Sequence, residues 1–157
     1  MKTLLLWMAA MAGAYGQGEW SAGVAAVDVT PREPIWLSGY ANRTQPSQGV
    51  VQPIYVKAAA FRQGGRTAVL VTSDLQGLDV EMIDEIARRS EREFGVGREQ
   101  LVLNYSHNHS APVTGKVLHL YYNLTAEQKA VVDRYTRWLV DRMVEAIGAA
   151  VKDLAPA

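Results

Sequence analysis

Thr67-Ala68-Val69-Leu70-Val71-Thr72 and Leu101-Val102-Leu103-Asn104-Tyr105-Ser106, with Asp79 to Phe94 between them, decide the fold. Each flanking run is short, apolar and bounded by polar or turn-forming residues, as a strand requires. Between them Val80, Ile83, Ile86, Ala87 and Phe94 fall on one helical face. Asp79 is a natural N-cap ahead of that face, and Gly95 and Gly97 stop the helix. Strand, helix and strand in this order predict a parallel crossover, most simply right-handed. The nearly all-apolar run at 67–72 predicts a central strand covered on both faces.

Working outward, Ile54 to Arg62 reads as a strand joined to Thr67–Thr72 through Gln63-Gly64-Gly65-Arg66, a hairpin with a Gly-Gly turn. Ser21 to Val29 reads as a first strand, closed by Thr30-Pro31 because proline cannot continue a ladder. Residues 31–53 hold four of the six prolines, plus Gly39 and Gly49, with little periodicity. Long irregular segments of this kind in compact domains are often functional. Downstream, Thr125-Ala126-Glu127-Gln128 is a capping box that opens a long helix to about Leu154. Its apolar stripe is Val132, Tyr135, Leu139, Met143, Ile147, Val151 and Leu154, widened by Trp138 and Val144. The fold class is therefore α/β: a mixed sheet with a β-hairpin and a strand–helix–strand crossover, flanked by helices. Lys152 to Ala157 reads as a helix handing over to a further strand, so residues 17–157 are expected to be an incomplete domain.

Composition narrows the function classes. The chain has 157 residues, 48% of them hydrophobic, enough for one domain with a real core. Sixteen basic residues balance sixteen acidic ones, which leaves no electrostatic footprint for nucleic acid. Met1-Lys2, the apolar stretch from Leu4 to Ala14, and small residues at Ala14 and Gly16 predict a signal peptide over residues 1–16. The expected location is secreted or periplasmic. There is no cysteine, so an exported protein of this sequence uses no disulfides.

The chemistry concentrates where strand 101–106 ends, in Ser106-His107-Asn108-His109-Ser110-Ala111-Pro112. Residues i and i+2 of an extended chain share a face, so persistence of the strand would aim both imidazoles the same way. That arrangement suits two ligands of one metal ion, or one ligand beside a supporting or substrate-binding histidine. Ligands in open α/β sheets bind outside the carboxyl ends of the strands, and Thr72-Ser73-Asp74 ends the neighbouring strand at the same edge. Asp74 is thus a candidate to accept a hydrogen bond from a histidine ring and fix its tautomer. Zinc suits neutral imidazole, and a bound zinc turns water into a nucleophile near neutral pH. Two histidines fall short of the usual three protein ligands. His119, the third histidine, reads as part of a packed surface or entrance segment. No Gly-x-Ser-x-Gly elbow and no glycine-rich phosphate loop is present.

The ordered set of segments resembles the N-terminal part of the neutral/alkaline non-lysosomal ceramidase family. The resemblance is carried by Ala22-Gly23-Val24, Val27-Asp28-Val29-Thr30-Pro31, Ser38-Gly39-Tyr40-Ala41, Tyr55-Val56-Lys57-Ala58 and Gly64-Gly65-Arg66. It continues through Val71-Thr72-Ser73-Asp74-Leu75 and Asn104-Tyr105-Ser106-His107-Asn108-His109-Ser110-Ala111-Pro112, the last resembling the family's His-Thr-His-Ser-Gly-Pro segment. Ala111 stands where the family has glycine, and Asn108 where it has threonine.

The resemblance implies a secreted, zinc-dependent amidase that cleaves the N-acyl linkage of ceramide-like lipids. His107 would be a zinc ligand, and His109 would contact substrate or the metal-bound water. The family's remaining ligands, a histidine, a glutamate and a tyrosine, lie further downstream, so this chain is expected to hold only part of the site and to be inactive alone. A lipid amide substrate goes with peripheral membrane contact, and no protein partner is expected. Two other readings stand beside this one. The first is a metal-dependent amidohydrolase barrel, although there H-x-H belongs near the first strand. The second is an exported α/β binding domain without metal.

Overall fold

The computed structural model describes residues 19–157; the expected signal peptide lies outside the described residues. In chain order the elements are β1 (Ser21–Asp28), β2 (Tyr55–Gln63), β3 (Arg66–Ser73), α1 (Val80–Phe94), β4 (Leu101–Tyr105), α2 (Ala126–Lys152) and β5 (Ala155–Pro156). The five strands form one mixed sheet in the order β4-β3-β2-β1-β5. β3 and β4 run parallel, whereas β1–β2, β2–β3 and β1–β5 are antiparallel.

Local chemistry explains the joints. Gly64 and Gly65 both have positive φ, 55° and 78°, as the tight β2–β3 hairpin requires. Asp79 caps α1, its Oδ1 accepting the Met82 N–H at 2.8 Å, and Gly95 ends it in the left-handed conformation. Thr125 and Gln128 form the reciprocal capping box that starts α2. Tyr135, inside α2, donates its hydroxyl to the Val29 carbonyl at 2.6 Å, tying the helix to the end of β1; burial pushes that phenol's pKa up.

Two expectations about the core need correction. β3 is covered on one face only: Thr67, Val69, Val71 and Ser73 point inward, while Arg66, Ala68, Leu70 and Thr72 are exposed. Both helices add to the core on the same side, α2 lying on β1 and β2 and α1 packing against α2. The other face carries Val24, Phe61, Leu70 and Val102 exposed, and no helix or strand of the described residues covers them. In α1 the inward positions are Met82, Ile86, Ala87 and Ser90, with Ile83 and Phe94 partly buried, whereas Val80 is 67% exposed. Residues two apart on a helix point to nearly opposite sides, so burying Met82 turns Val80 outward.

Helix α2 crosses β1 closely. A Cβ added at Gly23 would lie 2.3 Å from the Ala150 carbonyl oxygen and 2.7 Å from the Leu154 nitrogen, both backbone atoms that cannot swing aside. Gly23→Ala should therefore cost about 1–3 kcal/mol, the usual range for overpacking. The check is a lower denaturation midpoint at unchanged m-value.

The long segment at 31–53 is tied down beside the sheet's carboxyl edge. Ser38 N–H donates to the Ala111 carbonyl and Val113 N–H to the Trp36 carbonyl, both at 2.8 Å, around a Leu37–Pro112 bridge. This pairing brings Gly39 and Tyr40 to the histidine loop.

Candidate functional site

The β3–β4 pairing outlives both strands. Beyond the Ser73–Tyr105 pair, Ser106 N–H donates to the Ser73 carbonyl at 3.0 Å and Asn108 N–H to the Leu75 carbonyl at 3.1 Å. The chain then turns. His107 adopts φ 57°, the left-handed region in which histidine is among the more frequent non-glycine residues. Asn108 Oδ1 accepts the Ser110 N–H at 2.8 Å, a local side-chain turn. The two imidazoles meet with centroids 4.9 Å apart and planes at 57°. They are brought together by a left-handed residue and a turn, not by continued extension as the sequence suggested. His107 is exposed and His109 half-buried.

Other segments complete the surroundings. The Tyr40 ring packs edge-on against His109 at 4.9 Å. Arg43 stacks over Tyr40, 5.4 Å from its centroid, and its Nη2 donates to the His109 carbonyl at 2.7 Å. Gly39 N–H donates to the Tyr122 hydroxyl at 2.7 Å, which holds this strap against the segment before α2. Gln76, just past the end of β3, lays its amide nitrogen 3.0 and 3.1 Å from the two ring nitrogens of His107.

Asp74 does not take the place proposed for it. Its Oδ2 accepts the Tyr55 N–H at 2.9 Å, closing the β2–β3 pair. The register explains why. Ser73 pairs with Tyr105, which sets Asp74 beside Ser106 on the face opposite Ser73, and a one-residue step exchanges faces. Asp74 accordingly borders a crevice with Ser106, Asn108 and Ser110, while neither histidine lines it. The side chain that meets His107 is Gln76 instead. His119 is exposed in a short turn, its Nδ1 2.9 Å from the Lys116 carbonyl, away from the pair.

Two neutral imidazoles are a donor set that suits zinc. Among the described residues no group of three or more His, Cys, Asp or Glu side chains is placed to hold a metal ion. The two histidines thus fit zinc in kind and fall short in number of its usual three protein ligands. Tyr40, Arg43, Gln76 and Tyr122 were not picked out from the sequence as site residues. The motif around Tyr40 gave a signal; Gln76 gave none, because its role depends on the β3–β4 alignment.

A family model described as neutral/alkaline non-lysosomal ceramidase, N-terminal, matches residues 20–157. Among solved structures, the chain is similar to one described as a ceramidase complexed with C2, at a TM-score of 0.74 and 22% identity. It is also similar to the neutral ceramidase from Pseudomonas aeruginosa, at a TM-score of 0.70 and 24% identity. Each match covers 88% of this chain and 22% of the other, so the chain spans about a fifth of the length of these proteins.

Proposed function

Because the chain belongs to the neutral/alkaline non-lysosomal ceramidase family, we propose that it carries part of the active site of a zinc-dependent hydrolase of the N-acyl amide of ceramide-like lipids. The observation that carries this reading is the meeting of the His107 and His109 rings just beyond the carboxyl end of β4. His107 is the zinc ligand, supplying a neutral imidazole from an exposed loop. When bound, zinc would supply a Lewis acid for the acyl carbonyl and an activated water near neutral pH, and His107 would be one of the residues holding it. His109 is the substrate-side residue. Its ring rests on Tyr40 and its carbonyl is fixed by Arg43, so a ring N–H can be held ready for charge developing on the acyl oxygen. Asp74 is left with a structural task in joining β2 to β3.

The signal-peptide pattern at residues 1–16 supports an exported enzyme, secreted or periplasmic, that meets its lipid at a membrane surface. Among the described residues no helix is long and apolar enough to cross a membrane. The balanced charge gives no support for a nucleic-acid partner.

The test compares the complete protein with this 157-residue chain. The complete protein should hydrolyse a fluorescent ceramide, lose activity to a chelator and regain it with zinc. The chain alone should bind zinc weakly and turn over little ceramide, because it offers at most two imidazole donors at this site. Absence of hydrolysis by the complete protein overturns the reading. Tight stoichiometric zinc with rapid turnover by the chain alone overturns the assignment of only part of the site to it.

A further inference from the structure

Gln76 is 3% exposed, and its amide oxygen is buried without a hydrogen-bond partner among the described residues. A buried amide that uses only half of its hydrogen-bonding capacity is disfavoured, so what its other half touches is informative. Among the described residues, the hydrogen-bonding contacts of the Gln76 side-chain nitrogen are with the His107 ring, at 3.1 Å from Nδ1 and 3.0 Å from Nε2.

That near-equality fixes the geometry. The hydrogen-bonding directions of the two imidazole nitrogens lie in the ring plane and diverge, so no single donor can align with both. A donor equidistant from them in the plane would collide with the carbon between them. The Gln76 amide nitrogen therefore stands over the ring face, where its N–H groups meet the negative face of the aromatic system. The ring also meets that of His109, whose plane is tilted by 57°. His107 is exposed and in a left-handed conformation, and Gln76 and His109 are the groups that fix its ring.

We propose that Gln76 is a positioning residue for His107: its side-chain amide clamps the imidazole by its face and leaves both in-plane nitrogens free, one for a metal ion. This inference rests on the reading of His107 as a ligand. It differs from the usual arrangement, in which a carboxylate or carbonyl holds a ligand histidine by its second nitrogen. Asp74, the residue suited to that role by type, is engaged with Tyr55.

The experiment uses the whole chain, labelled with ¹⁵N, and the variants Gln76→Met, Gln76→Ala and His107→Ala. Protons above an aromatic face are shifted upfield. The Gln76 side-chain N–H resonances should therefore lie upfield in the wild type and return to ordinary positions in His107→Ala. Zinc titration should show affinity lost in His107→Ala. In Gln76→Met it should fall by about 10- to 100-fold, the usual effect of removing a group behind a metal ligand. Methionine fills the same space without an N–H, so its unfolding midpoint should change little, and Gln76→Ala should weaken zinc as much. Zinc affinity lost in His107→Ala but unchanged in both Gln76 variants overturns the positioning role alone. Gln76 resonances that do not respond to His107→Ala overturn the face contact. Zinc affinity unchanged in His107→Ala overturns His107 as the ligand and, with it, this role for Gln76.

Discussion

Replacing His107 with alanine in the complete protein is expected to remove zinc-dependent hydrolysis while leaving the fold standing. The side chain is exposed and in contact with Gln76 and His109, so its removal opens no core cavity. The stability change should be about 0.5 kcal/mol, as for other surface substitutions. The functional loss should exceed the roughly 10- to 100-fold expected when a group behind a ligand is removed, because here the ligand itself is lost. Zinc content and turnover of fluorescent ceramide, measured on the same preparation, check both halves. Wild-type turnover with wild-type zinc would show that the reaction uses other residues.

Gly39→Ala should damage the site from the other side. Gly39 has φ 101°, a conformation that an L side chain strains to adopt. An added Cβ would lie 2.4 Å from His109 Cγ and 2.8 Å from its Cα, so ring and backbone must both move. Overpacking of about 1–3 kcal/mol and backbone strain of about 1–2 kcal/mol together give a loss of roughly 2–5 kcal/mol. Displacing a substrate-side group by about 1 Å can cost on the order of 10²-fold in rate. Zinc should remain, since the three atoms nearest the new methyl group all belong to His109 and Gln76 still holds the His107 ring. The expected pattern is lowered kcat and a lowered unfolding midpoint at full zinc occupancy. Unchanged kcat would separate His109 from the chemistry.

The sequence was legible where local chemistry decides the backbone. Gly64-Gly65 set the hairpin, Asp79 and Gly95 bounded α1, and Thr125 with Gln128 opened α2. Layering was less legible. An apolar strand such as Leu70-flanked β3 looks the same whether one face or both are covered, because what covers it is far away in sequence. The helix stripe was misread at Val80 because Met82, two residues on, took the inward position. The H-x-H pair was found, but its convergence comes from the left-handed backbone at His107 and the Asn108–Ser110 turn. Asp74 is the candidate the sequence offers because a carboxylate is the familiar partner of a histidine; the residue that meets the ring is Gln76. Only the β3–β4 register shows that Asp74 faces the other side of the sheet. Tyr40, Arg43 and Tyr122 come from segments distant in the chain, joined to the loop by the Ser38–Ala111 and Gly39–Tyr122 hydrogen bonds.

The most direct test of His107 as a zinc ligand is anomalous X-ray scattering at the zinc edge from crystals of the complete protein. The account predicts a peak about 2.0–2.1 Å from an in-plane ring nitrogen of His107, the usual zinc–imidazole distance. A zinc peak elsewhere in the molecule, with the His107 ring free of metal, would contradict it.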